Sequence, residues 1–359
     1  MSFKVALLGE FSSLHKYLKE GLLELGGDIE VTLYANGDGW KKIKGADAPL
    51  YLHNQNKFRN LFGVIQSADT VRSFDVVQIM HPHLYSCFAN PHCIRSLAAH
   101  NGMLSMISAG TDLANMQAYR SGVFDYYVHD YCNVGKQTYE TKSLRCLFNR
   151  LADRTAYRCA DIVIPICYEY AVGYAGRPKA HSVIPFPLNV DAIPYRENKV
   201  GDKVVFFHGL NREDFKGTKF IREAMERLKT NYPNDVEIVL DGHMPFDRYL
   251  EVLSRTNVVI DQCCSYAYGI NGGISMAQGK VLLAPMQQES MQAFGVDKTP
   301  VLSVIPDADQ IYAQLVTVLE RRKEIPQWGY ESRQYAEQVH HYVKVAQQYL
   351  DAWKSVKKS

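Results

Sequence analysis

Arg212 and Lys216 stand one helical turn apart, just past an apolar run at 204–207 that ends in His208-Gly209. Arginine can bind two phosphate oxygens at once, and lysine acts as a point charge. A pair so placed can clamp a diphosphate. Fixed cations are most useful where negative charge grows in a transition state, as it does on a departing diphosphate. Further on, Asn271-Gly272-Gly273 opens a helical pattern through Ser275 to Gln278. Glycines let backbone N–H groups approach a phosphate, and the helix dipole favours its charge. The competing reading makes Arg212 and Lys216 two ordinary cations of a surface loop.

The elements that must position these residues are short and regular. Apolar runs at 204–207, 236–240, 258–260 and 281–284 alternate with helical patterns. That order reads as βαβ units on a parallel sheet, which binds ligands at the carboxyl ends of its strands. The first half repeats the scheme. A run at 4–8 stops at Gly9, and a helical pattern over 14–25 carries Leu14, Leu18, Leu22 and Leu25 on one face. Ser12 or Ser13 is the expected N-cap. The turn from Gly9 into that helix should offer free backbone N–H groups to a ligand, and His15 lies one turn in, read as a surface histidine unless it faces the ligand. Further strands are expected over 29–34, 75–80, 103–108 and 161–166, with a loop at Asn36-Gly37-Asp38-Gly39. His81 and His83 tip the third of these runs. No third ligand follows at a suitable spacing, so they read as polar groups at a strand end rather than a metal pair.

Composition narrows the classes. The chain has 359 residues, 40 Lys plus Arg against 38 Asp plus Glu, and a net charge of +2. That balance argues against nucleic acid as a partner. No apolar run approaches the ~20 residues of a membrane span, and the N-terminus shows no signal-peptide pattern. The eight cysteines include no Cys-x-x-Cys and read as reduced thiols, Cys263-Cys264 as a buried pair. A cytoplasmic protein is expected.

The ordered set of Arg212, Lys216-Gly217-Thr218, Asp261-Gln262, Tyr268-Gly269 and Met276-Ala277-Gln278-Gly279-Lys280 resembles the donor half of bacterial GT-B glycosyltransferases, in the retaining family 4 (glycosyl transferases group 1). The resemblance implies an α/β fold of GT-B architecture, with two Rossmann-like parallel-sheet domains facing a cleft. Residues 1–190 would form the acceptor-side domain and 191–330 the donor-binding domain, with 331–359 a C-terminal helix crossing back. It implies a hexosyltransferase of surface-polysaccharide synthesis (O-antigen or capsule-like), retaining, with no cofactor or metal. A nucleotide sugar would be the donor and a glycan or lipid-linked molecule the acceptor. It gives catalysis to Asp112, Arg212 and Lys216. It gives donor binding to Gly9, Arg212, Lys216, His243, Tyr268, Gly269, Asn271, Gly272, Gly273 and Ser275, and the acceptor side to Ser12, His15, His81 and His83. Thr111 stands where the family often has a histidine.

Two glutamates common in the family are replaced by Tyr266 and Ile274. One of them usually accepts ribose hydroxyls. Ser275 or His243 would have to substitute, or a deoxyribose donor such as a dTDP-sugar would need one contact fewer. The alternative reading is a degenerate GT-B protein that binds a glycan or a partner without catalysis. An epimerase of the same architecture is a third reading and would need carboxylates for proton transfer.

Two further segments stand out. Tyr119, Phe124, Tyr126, Tyr127, Tyr131 and Tyr139 crowd 113–140, either as sugar-stacking faces or as a packed excursion. A helix over 142–159 has an apolar arc of Leu144, Leu147, Phe148 and Leu151, flanked by Lys142, Arg145, Arg150, Arg154 and Arg158 with only Asp153 opposing. It is either a solvated face or a peripheral contact with anionic headgroups or a lipid-diphosphate acceptor.

Overall fold

Short runs rich in Val, Ile and Leu become the strands of two parallel sheets in a computed structural model that describes residues 2–36, 45–51, 56–85 and 88–356. The first sheet holds β1 (Phe3–Leu8), β2 (Ile29–Tyr34), β3 (Val76–Ile79), β4 (Leu104–Ser108) and β5 (Ile162–Pro165) in the order β2-β1-β3-β4-β5. The second holds β6 (Val204–Gly209), β7 (Val236–Asp241), β8 (Val258–Ile260), β9 (Val281–Ala284) and β10 (Leu302–Ser303) in the order β10-β9-β8-β6-β7. Counted within each sheet, both orders are 2-1-3-4-5. All pairings are parallel among the described residues. Strands buried on both faces are mostly apolar, and β3, β4, β5, β8 and β9 are buried at every residue, with the polar Gln78 and Ser105 bonded to each other at 2.9 Å. In this doubly wound order the strand sequence reverses beside the first strand. Ligand crevices are therefore expected at the carboxyl ends of β1 and β3, and of β6 and β8.

The chain divides into two units. One comprises Met1–Val123, Asn133–Pro187 and Tyr342–Ser359; the other comprises Phe124–Cys132 and Leu188–His341. The expected boundary near 190 becomes Pro187–Leu188, and residues 331–341 belong with the second sheet. Phe124–Cys132, inside the tyrosine-rich segment, also joins the second unit. The single helical pattern expected at the C-terminus is two helices, Ile325–Val339 and Tyr342–Ser355. His340 interrupts them because its carbonyl accepts Leu188 N–H at 2.7 Å and His341 pairs with Leu188 as a β-bridge.

In the first unit the last helix packs on the first, Leu14–Glu24. Gly21 makes this approach feasible: a Cβ there would lie 2.3 Å from the Tyr342 carbonyl oxygen. Trp353 is buried and its Nε1–H donates to Ser105 Oγ at 3.1 Å, which ties the last helix to β4. Of the loop signal at 36–39, only Asn36 lies among the described residues; Cys87 and the tail at 357–359 lie outside them. Trp353→Ala should lower stability by about 3–5 kcal/mol through the cavity and the lost contacts. Urea unfolding followed by circular dichroism reads this directly, and an unchanged midpoint would contradict the docking of the last helix.

Candidate functional site

The second unit builds its site at the carboxyl ends of β6 and β8. Past β6 the chain turns through Arg212, whose backbone is left-handed (φ 56°, ψ 59°), into the short helix Glu213–Lys216. The Arg212 side chain is exposed and lies 4.6 Å over the Phe215 ring. Lys216 points inward. It is 4% exposed, and its Nζ donates to Asp261 Oδ1 at 2.9 Å. The other Asp261 oxygen, Oδ2, accepts Gly269 N–H at 2.9 Å, at the start of the helix Ile270–Ala277. Burial alone would raise the Asp261 pKa; the Lys216 ammonium and the hydrogen bonds outweigh it and hold the carboxyl below its usual value.

The surrounding groups lock this arrangement. Gly217 has φ 75°, and a Cβ there would lie 2.4 Å from Cys263 Sγ and 2.6 Å from Cys264 Sγ. His208 is wholly buried, with Nδ1 2.8 Å from the Ile260 carbonyl and Nε2 2.8 Å from Thr218 Oγ1. The carbonyl requires a proton on Nδ1, so Nε2 accepts from the threonine. Burial, and then the Lys216 charge, push the His208 pKa down to about 3. A recess of about 20 Å3 is lined by Gly209, Asn211, Lys216, Gly242, Asp261 and Asn271 among others. That is room for about one water molecule.

Several expected donor contacts are spent inside the protein. Tyr268 is 3% exposed and its hydroxyl meets His340 Nε2 at 2.6 Å, so it packs toward the end of the helix Ile325–Val339. Ser275 is fully buried and donates to the Gly272 carbonyl, which removes it as a ribose partner. Gly272 and Gly273 are buried, while Gly269 and Asn271 remain half-buried. His243 is exposed with φ 55°, its N–H held by Asn211 Oδ1 at 2.9 Å. Of the side chains expected on the donor side, Arg212, His243 and Asn271 are therefore the ones that stay accessible. The replaced positions are both buried: Tyr266 stacks on Tyr126 with ring centroids 5.3 Å apart, and Ile274 is 4% exposed.

In the first unit the expected loop after β1 is partly self-satisfied. Lys16 N–H in the first helical turn donates to Glu10 Oε2 at 2.8 Å. Ser13 is the N-cap but sits in the left-handed region and makes no side-chain capping bond; Ser12 is also left-handed. His15 is fully buried rather than on the surface. Its Nδ1 lies 2.8 Å from the Gly9 carbonyl and its Nε2 is 3.4 Å from Gln78, while burial pushes its pKa down to about 4. Asp112 is 1% exposed and caps the helix Leu113–Arg120 by accepting Asn115 N–H at 2.8 Å. Tyr174 donates to its Oδ2 at 2.6 Å. Burial, reinforced by Asp153, pushes the Asp112 pKa up to about 6. A group so enclosed acts on a substrate only by way of its neighbours.

Beside it lie two of the expected acceptor-side residues, His81 and His83, and one that composition and spacing missed as a site group, Asp153. His83 Nε2 is 3.3 Å from Asp153 Oδ2 and 3.4 Å from the Tyr139 hydroxyl. Burial lowers the His83 pKa, but the Asp153 carboxylate outweighs it and the net direction is up. His81 Nδ1 accepts His83 N–H at 3.1 Å, and burial together with His83 pushes the His81 pKa down to about 4. Asp153 Oδ1 is buried without a hydrogen-bond partner among the described residues. A histidine oriented by a carboxylate can take up or release a proton. The signal for Asp153 was available: Cys146, Asn149, Asp153 and Ala156 share one face of the helix Leu144–Cys159, and it is the buried face. Among the described residues no group of three or more His, Cys, Asp or Glu side chains could hold a metal ion.

No protein-family model matches the chain, and no curated protein sequence matches it. Solved structures do. Sucrose-phosphate synthase from Thermosynechococcus elongatus is 14% identical at a TM-score of 0.63, covering 98% of this chain and 98% of that one. Anabaena HepE in complex with UDP and glucose is 12% identical at 0.62, covering 99% and 100%. A putative UDP-N-acetylglucosamine 2-epimerase from Listeria monocytogenes is 13% identical at 0.56, covering 99% and 96%. At these identities the likeness is one of fold, the GT-B α/β architecture with two five-stranded parallel sheets.

Two outcomes test the site. Lys216→Met leaves a buried, unpaired Asp261 and should cost about 3–5 kcal/mol, while adding Asp261→Leu should restore much of it; equal losses in the single and double variants would dissolve the pair. His208 is held neutral, with its folded pKa below the ordinary 6.5, so the unfolded chain binds the extra proton between about pH 6.5 and 3. Its contribution to stability is present above pH 6.5 and is lost as pH falls. Between pH 7.5 and 5 the wild type should lose about 2 kcal/mol more than His208→Asn, as read by denaturant unfolding at each pH; parallel losses would refute the assignment.

Proposed function

We propose that the chain is a glycosyltransferase that moves a hexose from a nucleotide-diphosphate sugar to a glycan or lipid-linked acceptor in surface-polysaccharide synthesis. The observation that carries this reading is Arg212. Its guanidinium is exposed at the carboxyl end of β6, beside the strand reversal, on a backbone held in the left-handed region. Non-glycine residues persist there only when the surroundings impose it, and such positions cluster at functional sites. The fold supports the reading, because solved structures of the same architecture include one in complex with UDP and glucose.

In this reading Arg212 binds the diphosphate and stabilises it as the sugar–oxygen bond breaks. The electron pair leaves with the diphosphate, the acceptor oxygen bonds to the anomeric carbon, and the acceptor's hydroxyl proton passes to the departing diphosphate. Lys216, paired with Asp261, sets the loop that carries Arg212. Asn271 and His243 are the remaining donor-side groups, and Ser12, His81 and His83 serve the acceptor side. Asp112 acts through Tyr174 and the neighbouring His83–Asp153 pair. Transfer proceeds with retention, as the family resemblance implies, without a metal.

A second reading, a non-catalytic binding protein, is favoured by the burial of Tyr266, Tyr268, Ile274 and Ser275. A thermal-shift panel of UDP, GDP, CDP and dTDP separates the two. One nucleotide at about a hundred times its Kd should stabilise the fold by ~2.7 kcal/mol, and Arg212→Ala should abolish the shift. With that donor, Arg212→Ala should cut turnover at least about a hundredfold with the fold intact. No shift with any nucleotide at millimolar concentration would favour the binding protein.

A further inference from the structure

The helix Leu144–Cys159 packs the opposite way round from an ordinary amphipathic helix. The face it buries carries small and polar residues: Cys146, Asn149, Ala152, Asp153, Thr155 and Ala156. Its leucines face outward. Leu144 is 72% exposed, Leu147 61% and Leu151 41%. Arg154 and Arg158, both exposed, continue the row at the same three-and-four spacing, so all five lie on one side. Phe88, 61% exposed, adds to the apolar area through an edge-on contact with Phe148 at 4.7 Å. Single exposed leucines are ordinary; a row of three beside an exposed phenylalanine marks an interaction surface.

Charge identifies what that surface meets. The helix has four arginines and one acidic residue, Asp153, and that carboxylate is buried against His83. Its exposed charges, with Lys142 just before it, are all positive. A second copy of this chain is a poor occupant. In parallel pairing the arginines would oppose arginines, and in antiparallel pairing they would oppose leucines, so neither order offers them a carboxylate. An anionic bilayer satisfies both parts, since leucines enter the acyl boundary while arginines stay with the headgroups. No described helix is long and apolar enough to cross a membrane, so the contact is one of lying on the surface.

We propose that the outward face of Leu144–Cys159, extended by Phe88, rests on a bilayer containing anionic lipid. This stands apart from glycosyl transfer, for it requires neither a nucleotide nor the second unit. The test is co-sedimentation of the full chain with vesicles of phosphatidylcholine alone, or with about a quarter phosphatidylglycerol. The chain should pellet with the anionic vesicles and stay in solution with the neutral ones. Arg154→Gln with Arg158→Gln should weaken partitioning about fivefold per charge removed. Changing Leu144, Leu147 and Leu151 together to Ser should weaken it at least about tenfold. All five side chains are exposed, so circular dichroism and the Tm should be unchanged. The proposal fails if the wild type pellets with neither vesicle, if the serine variant pellets as the wild type does, or if both vesicles bind equally. It also fails if sedimentation velocity shows a wild-type dimer that the serine variant dissolves, which would give the face to a second copy.

Discussion

The Lys216–Asp261 ion pair is the constraint on which the second unit's site depends. Both groups are at most 5% exposed. Removing two charges from water costs several kcal/mol each, and the cost is recovered only with good geometry and further hydrogen bonds. Those bonds connect three separate pieces of chain. Asp261 follows β8, Lys216 ends the turn after β6, and Gly269 opens the glycine-rich helix. Lys216 N–H also bonds to the Arg212 carbonyl at 3.0 Å. The exposed arginine is thus tied by its own backbone to a buried pair that tolerates little displacement. Preorganisation of this kind is what makes a cation useful to a transition state, because the site need not rearrange as charge develops.

The same carboxylate changes what the glycine-rich helix can do. A helix N-terminus attracts anions, but here the protein supplies its own. Asp261 takes Gly269 N–H, Glu10 takes Lys16 N–H, and Asp112 takes Asn115 N–H. Each of these N–H groups is thereby taken by a carboxylate of the protein itself. Affinity for a diphosphate would then rest on side-chain cations, with Arg212 foremost, more than on backbone donors. The glycines retain a structural role: Gly217 lets the loop pass the sulfurs of Cys263 and Cys264, where no side chain would fit.

The sheets were legible in the sequence because continuous apolar runs bounded by Gly, Asn or Asp need no distant partner to be recognised. Phe3–Leu8, Ile29–Tyr34 and Val236–Asp241 follow their runs to within a residue. Legibility ended where a residue's state depends on distant chain. His15 is buried because Gly9 and Gln78 receive it, and His208 because Ile260 and Thr218 do. Lys216 reads as a free cation until Asp261, 45 residues on, is seen to hold it. The break at His340 is hidden because apolar periodicity runs through it, while the partner that interrupts the helix is Leu188. The leucines of 144–151 were visible as an arc, but which way an arc faces is decided by what packs on the other side.

The departure at Tyr266 and the excursion of Phe124–Cys132 are one structural fact. The excursion leaves the first unit's sequence to pack on the second sheet. Tyr126 stacks on Tyr266 with planes 18° apart, Phe124 meets the same ring at 5.3 Å, and the Tyr266 hydroxyl accepts Asp125 N–H at 3.0 Å. Tyr126 in turn is held by Gln287. A glutamate at 266 would put a carboxylate among these rings, and unpaired buried charge is far more costly than a buried phenol with one hydrogen bond. The aromatic crowding at 124–131 is therefore accounted for by packing on this unit: Tyr131 also sets its edge against Phe220 at 5.5 Å, with Lys219 over its ring. Tyr266, covered by this second segment, is part of the core of the unit.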